Sequence, residues 1–195
     1  IPADVSSAAF FLVGASISPG SDLTLEHVGM NPTRIGVLNI LGLMGADIQV
    51  LNEREVGGEP VADLRVRHAP LKGIEIPEEE VPLAIDEFPA LFIAAACAEG
   101  RTVLAGAEEL RVKESDRIAS MAEGLTTLGI QNEVRPDGIV IEGGTLGGGS
   151  VSTYHDHRIA MSFAIAGLRA SAPIDVLDCD HVTTSFPGFA ALASK

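Results

Sequence analysis

Cysteine is scarce in this chain: it occurs twice, at Cys97 and Cys179. Two cysteines so far apart make no disulfide framework, which excludes a stapled secreted scaffold and points to a reducing, cytoplasmic setting. Positive charge is also short, with 13 Lys and Arg against 27 Asp and Glu and a formal net charge of −14. No basic field covers the surface, so neither nucleic acid nor an anionic membrane is expected as a partner. No apolar run approaches the ~20 residues that span a bilayer. The initiating Met and a basic leader are missing as well, and Ile1 reads as an internal position of a longer protein. No G-x-S-x-G, Walker A or dinucleotide fingerprint appears.

What is present is a hydrophobic fraction of 46% over 195 residues, enough to bury one substantial core. Three times an Asp opens an apolar helical run: Asp4, Asp86 and Asp156. Roughly thirty residues after each comes a second helix start, near Arg34, Arg117 and Phe186. Three copies of one unit, approximately 4–54, 86–142 and 150–195, therefore predict a single repeat domain.

The first two units read as apolar helix, strand, second helix, strand, and the third as helix, strand, helix. In the first, a helix from Ser7 to about Ile17 ends at Pro19-Gly20, a strand covers Asp22–Glu26, and a helix covers Arg34–Met44 with Gly45 as its stop. Asp47–Leu51 alternates as a strand, and so does Asp63–Arg67 beyond it, before an acidic loop at Glu78–Glu80. The second unit predicts helix Glu87–Ala98, strand Arg101–Leu104 and helix Glu114–Leu128 stopped at Gly129. Strands Ile130–Val134 and Gly138–Ile141 then pair across a turn. The third predicts helix His157–Leu168, strand Pro173–Leu177 and a last helix from Phe186. Gly143–Gly149 has no Lys-Ser/Thr after it and reads as a flexible turn rather than a phosphate loop.

The first helices are apolar nearly all round, as in Ala8-Ala9-Phe10-Phe11-Leu12-Val13 and Ile93-Ala94-Ala95-Ala96-Cys97. Such helices belong in the centre, with sheets and second helices outside. The expected fold is thus an inverted α/β prism of three repeated β/α units with apolar helices buried inside. Rough threefold packing would bring three positive helix N-termini to one end, where an anion could sit.

Polar residues that break the repeat are the candidates for chemistry. Lys113 and Arg117, in Leu110-Arg111-Val112-Lys113-Glu114-Ser115-Asp116-Arg117, can reach over one helix end as anchors for carboxylate or phosphate. The alternative is a solvated helix start in which Arg117 pairs with Glu114 and Asp116. In Tyr154-His155-Asp156-His157-Arg158, Arg158 occupies a first helical turn, where the dipole disfavours a cation unless an anion is bound. There the alternative is Asp156 as an N-cap with His157 and Arg158 on the surface. Asp86 is either a third N-cap or a general base kept ionised by nearby cations. A zinc site from His155, His157, Cys179 and His181 is a further reading.

These clusters resemble the 5-enolpyruvylshikimate-3-phosphate synthase family. The residues that carry the likeness are Asp4 to Ala8, Met30 to Arg34, Ile85 to Pro89, Leu110 to Arg117, Asp156 to Met161 and Ser185 to Pro187. The likeness covers essentially the whole chain and corresponds to the C-terminal half of that enzyme. It implies residues 1–195 as a single C-terminal domain that closes with a complementary N-terminal domain over the ligands. It implies transfer of the enolpyruvyl group of phosphoenolpyruvate to the 5-hydroxyl of shikimate 3-phosphate, releasing phosphate, with no metal or organic cofactor. Asp86 would accept a proton and, with Lys113, contact shikimate 3-phosphate. Lys113, Arg117, His157 and Arg158 would bind phosphoenolpyruvate, and Glu114 would handle the proton at its methylene carbon. Two positions depart from many members: Thr184 stands where a Lys is common, and Glu109 where some have Asn. The sister family acting on UDP-N-acetylglucosamine is a rival. A non-catalytic lobe that only folds and complements its partner is another.

Overall fold

The computed structural model describes residues 2–178. The Cys179 and His181 positions of the zinc reading, Thr184, Ser185-Phe186-Pro187 and the expected last helix lie outside them.

Helix α1 (Val5–Ile17) is capped by the Asp4 side chain, which accepts from the Ser6 N–H at 3.1 Å. Strand β1 (Asp22–Gly29) leads to a short helix α2 (Gly36–Leu43), then to the long hairpin β2 (Asp47–Val56) and β3 (Glu59–Arg67). Gly57 and Gly58, both at positive φ, make the two-residue turn between those strands. Helix α2 begins two residues later than Arg34. The Asn31 side chain accepts from the Thr33 N–H at 3.0 Å, and the Arg34 N–H bonds the Asn31 carbonyl, so Arg34 sits in a turn. The acidic stretch Glu78–Glu80 is a 3₁₀ helix rather than a loop.

A second 3₁₀ helix, Ile85–Glu87, feeds α3 (Phe88–Cys97), which is followed by β4 (Arg101–Leu104) as expected. A third, Glu108–Val112, precedes α4 (Arg117–Thr127). Helix α4 starts three residues beyond Glu114, because the Asp116 side chain takes the cap by accepting from the Ala119 N–H at 3.1 Å. Strands β5 (Asn132–Arg135) and β6 (Gly138–Glu142) form a hairpin; β7 (Gly149–Val151), α5 (His157–Ala166) and β8 (Ile174–Val176) complete the described chain. The strand before the His-Asp-His-Arg run ends at Val151, and Tyr154 and His155 lie in a left-handed turn at φ 50° and 57°.

The first sheet has the order β1-β3-β2 and the second β4-β6-β5, both antiparallel, so the first sheet is completed only at Arg67. Each unit also brings in a strand-like segment parallel to the strand leaving its buried helix. Ala3 bridges Val28, Lys72 and Glu75 bridge Glu99 and Val103, and β7 pairs with β8. The shared element is therefore a parallel β-α-β crossover around α1, α3 or α5. Those three helices pack on one another at the centre, and α3 is buried at every residue from Phe88 to Ala96. Phe10, Phe88, Phe92 and Phe163 are fully buried there, each worth roughly 1.5–3 kcal/mol of burial. The arrangement is the expected inverted prism. Among the described residues no helix is long and apolar enough to cross a membrane.

The glycine-rich stretch is not a flexible turn. Its N–H groups are used up on protein carbonyls: Gly143 on Gly100, Gly144 on Ala96, Gly147 on Leu128 and Gly149 on Pro173. It is a strap pressed onto the ends of α3 and α4, with these four N–H groups turned to protein carbonyls. A Cβ at Gly143 would lie 1.6 Å from the Ala98 carbonyl oxygen, whereas one at Gly144 meets nothing closer than 3.6 Å. Gly143→Ala is accordingly expected to cost about 2–3 kcal/mol and Gly144→Ala under about 1 kcal/mol. Urea unfolding of the two variants checks this, and equal midpoints would count against the strap.

Candidate functional site

The starts of α1, α3 and α5 meet at one end of the prism. Across that end the Ser6 hydroxyl donates to Glu87 at 2.7 Å, Arg158 Nη1 donates to the Asp86 carbonyl at 3.4 Å, and Arg117 joins Asp86 to Asp156. The residues singled out in the sequence are therefore neighbours, although they come from distant stretches of chain.

Asp86 lies inside the 3₁₀ helix before α3 and does not cap it; the capping position is Glu87, whose side chain makes no cap bond. The N-cap reading of Asp86 thus gives way, and its carboxylate is left to tertiary partners. Lys113 Nζ is 3.4 Å away and Arg117 Nη1 3.5 Å. Burial pushes the Asp86 carboxyl up, but Arg158, Lys113 and Arg117 outweigh it and hold the group below the usual carboxylate value. Asp86 stays ionised.

Lys113 follows the 3₁₀ helix Glu108–Val112 and also pairs with Glu109 at 2.9 Å. The bond to Glu109, opposed by partial burial and assisted by Asp86, raises its pKa. Glu114, about half exposed, lies 2.7 Å from His157 Nδ1 and 4.0 Å from Arg117 Nη2. His157 and Arg158 form the first turn of α5, both partly buried.

Arg117, 3% exposed at its side chain, does not pair with Asp116 as the solvated-start reading holds. Asp116 instead takes Arg111 at 2.8 Å. The main partner of Arg117 is Asp156, fully buried, through Nε at 2.9 Å and Nη2 at 3.2 Å. Asp156 also accepts from Ser115 Oγ at 2.8 Å and from the Arg158 N–H at 3.0 Å. Burial raises its pKa, and the bond to and charge of Arg117, with Ser115 and that N–H, bring it below the usual value. So Asp156 is a cap, as one reading had it, and also the anchor of the segment that carries Ser115 and Arg117. Sequence reasoning missed that second task, as it missed buried Glu87. The available signal was an Arg at the first position of α4, which demands a counter-charge from elsewhere.

One group of possible metal donors comes together among the described residues: Glu114, Asp156 and His157 within 4.8 Å of one another. Its buried member already balances a guanidinium, so the donor set has the chemistry of an ion-pair network. Burial lifts the Cys97 thiol to about 11, which leaves it a weak nucleophile. Chemically, the rim offers an ionised acceptor, an exposed acid beside an imidazole, and a fan of cations for anionic oxygens.

The sequence profile described as EPSP synthase (3-phosphoshikimate 1-carboxyvinyltransferase) matches residues 1–192. The chain belongs to the EPSP synthase family. It is 73% identical over 194 residues to the 3-phosphoshikimate 1-carboxyvinyltransferase of Alkalilimnicola ehrlichii, covering 99% of this chain and 44% of that protein. The enzyme of the same name from Methylococcus capsulatus is 69% identical over 193 residues, with the same coverage. An EPSP synthase structure from Acinetobacter baumannii superposes with TM-score 0.98 at 59% identity, over all of this chain and 46% of that one. The enolpyruvyl transferase NikO from Streptomyces tendae shares the fold at TM-score 0.75 and 17% identity, over 98% of this chain and 42% of that one. The chain thus spans a little under half the length of its EPSP synthase relatives.

Asp156→Ala should destabilise the chain by roughly 3–5 kcal/mol, the cost of stranding a buried guanidinium. Because the folded Asp156 carboxyl titrates below its unfolded value, its contribution is complete above about pH 4 and is lost as pH falls through the folded value. Urea midpoints of the two proteins followed from about pH 7 to about pH 2 should therefore converge at the acid end. A constant gap contradicts the assignment.

Proposed function

We propose that this chain is the C-terminal domain of a two-domain enolpyruvyl transferase of the shikimate pathway, serving aromatic amino acid biosynthesis. Its complementary N-terminal domain would close over the rim with shikimate 3-phosphate and phosphoenolpyruvate between them. The observation that carries the reading is one ionised carboxylate, Asp86, flanked by Lys113 and Arg117, with Arg158 against its own carbonyl. The names and coverage of the relatives support the two-domain arrangement.

In this reading Asp86 takes the proton of the 5-hydroxyl as its oxygen attacks C2 of phosphoenolpyruvate. Glu114 delivers a proton to the methylene carbon, with the His157 imidazole beside it at 2.7 Å. The product is a tetrahedral intermediate with one new C–O bond. Glu114 then removes a proton from the methyl group, the C–O bond to phosphate breaks, and the enolpyruvyl double bond re-forms. Lys113, Arg117 and Arg158 balance the phosphate and carboxylate charges that accumulate, and they are held in place before the substrates arrive. No step draws on a metal or organic cofactor.

Since the site is shared with the absent lobe, the chain by itself is expected to turn over little or nothing. Mixed with its N-terminal half, it should release phosphate from shikimate 3-phosphate and phosphoenolpyruvate. Asp86→Ala should lower that rate by at least about a hundredfold. Full activity in Asp86→Ala removes Asp86 from the mechanism, and no release from the wild-type mixture leaves a lobe that only folds and pairs.

A further inference from the structure

We infer that Glu87 is a positioning residue for Asp86, acting through the 3₁₀ turn they share and tied across the unit boundary to Ser6. The inference rests on the proposed role of Asp86. Glu87 is 3% exposed, and no step of the proposed reaction uses it. Its carboxylate accepts the Ser6 hydroxyl proton at 2.7 Å, and the Ser6 oxygen accepts from Arg34 Nη2 at 2.6 Å. Arg34 is in turn 3.3 Å from Asp4. A hydroxyl has one proton; giving it to Glu87 leaves the Ser6 lone pairs for Arg34. The chain of bonds therefore has one direction, from the half-exposed guanidinium through the hydroxyl to the buried carboxylate.

That chain pins the turn from the α1 side. From the other side Arg158 of α5 holds the Asp86 carbonyl, and the Glu87 N–H closes the turn on the Ala84 carbonyl at 2.9 Å. Asp86 itself has no capping bond, so the direction of its carboxylate depends on how firmly the turn is held. The groups facing Asp86 are Lys113, Arg117 of α4 and Arg158 of α5; those facing Glu87 are Ser6 of α1, Arg34 before α2, Arg158 and Asp86. Burial raises the Glu87 pKa against the pull of Ser6, Arg158 and Arg34, as befits a group held for its geometry.

The test compares Glu87→Leu, Glu87→Gln and Ser6→Ala in the two-domain protein. Glu87→Gln keeps an acceptor for Ser6 and should hold kcat within about threefold; Glu87→Leu should lower kcat by about tenfold or more. With the turn loosened, Asp86 drifts from its cations, so the acid limb of the pH–rate profile should move up in Glu87→Leu and Ser6→Ala. Carboxyl-carbon NMR of Asp86 should show the same upward shift without any turnover. The sign is discriminating, because deleting a neighbouring negative charge alone would move Asp86 down. An unchanged Asp86 titration in both Glu87→Leu and Ser6→Ala, or a Glu87→Gln profile identical to that of Glu87→Leu, overturns the inference. Should Glu87→Leu fail to fold, Ser6→Ala decides it. If the wild type releases no phosphate, the proposed reaction fails, while the NMR titration still judges the positioning role.

Discussion

A guanidinium and a carboxylate buried against each other, Arg117 with Asp156, join the second repeat to the third at the end where the central helices begin. Neither charge would be tolerated there alone, since desolvation costs each several kcal/mol, about what a good counter-ion returns. The pair therefore adds little net stability but dictates arrangement. With Nε and Nη2 committed to Asp156, the guanidinium has one direction left for Nη1, and that direction is Asp86. Through its N-cap bond the same carboxylate fixes the first turn of α5, and hence His157 and Arg158. One buried anion sets the bearing of three rim residues.

The repeat and the burial of its apolar helices were legible because they depend on patterns many residues long. Helix α1 and strand β4 came out nearly to the residue, since Pro19-Gly20 and Gly100 punctuate them. Where several neighbours compete for one task, local signals do not choose. Glu114, Ser115 and Asp116 can each open a helix, and Asp116 wins because its oxygen reaches the Ala119 N–H. Asp86 looked like Asp4 and Asp156 in sequence, yet a 3₁₀ turn intervenes and leaves its carboxylate to Lys113 and Arg117. The glycines from 143 to 149 misled for a related reason: glycine serves flexibility and close approach equally, and only the Ala98 carbonyl tells which. The rim residues were readable as a set, but their wiring was not, because the bonds from Arg117 and Ser115 to Asp156 and from Ser6 to Glu87 cross between units.

Besides Asp86, Lys113 and Arg117 already meet other carboxylates, and these fall into two kinds. Asp156 is sealed and cannot leave; Glu109 and Glu114 are about half exposed or more, and their contacts to Lys113 and Arg117 are open to water. Solvated pairs like these are worth little, about 0–1 kcal/mol, and exchange readily. An incoming phosphate or carboxylate can thus replace the outer carboxylates without disturbing the inner one. In the proposed function, this is how a domain with a net charge of −14 would present a place for anions. Arg117 is oriented from behind by the buried Asp156, and the exposed Glu109 and Glu114 stand in front of Lys113 and Arg117. If, as proposed, a second lobe closes on that face, the same charges would act at lower dielectric, and substrate oxygens would take over from the outer carboxylates.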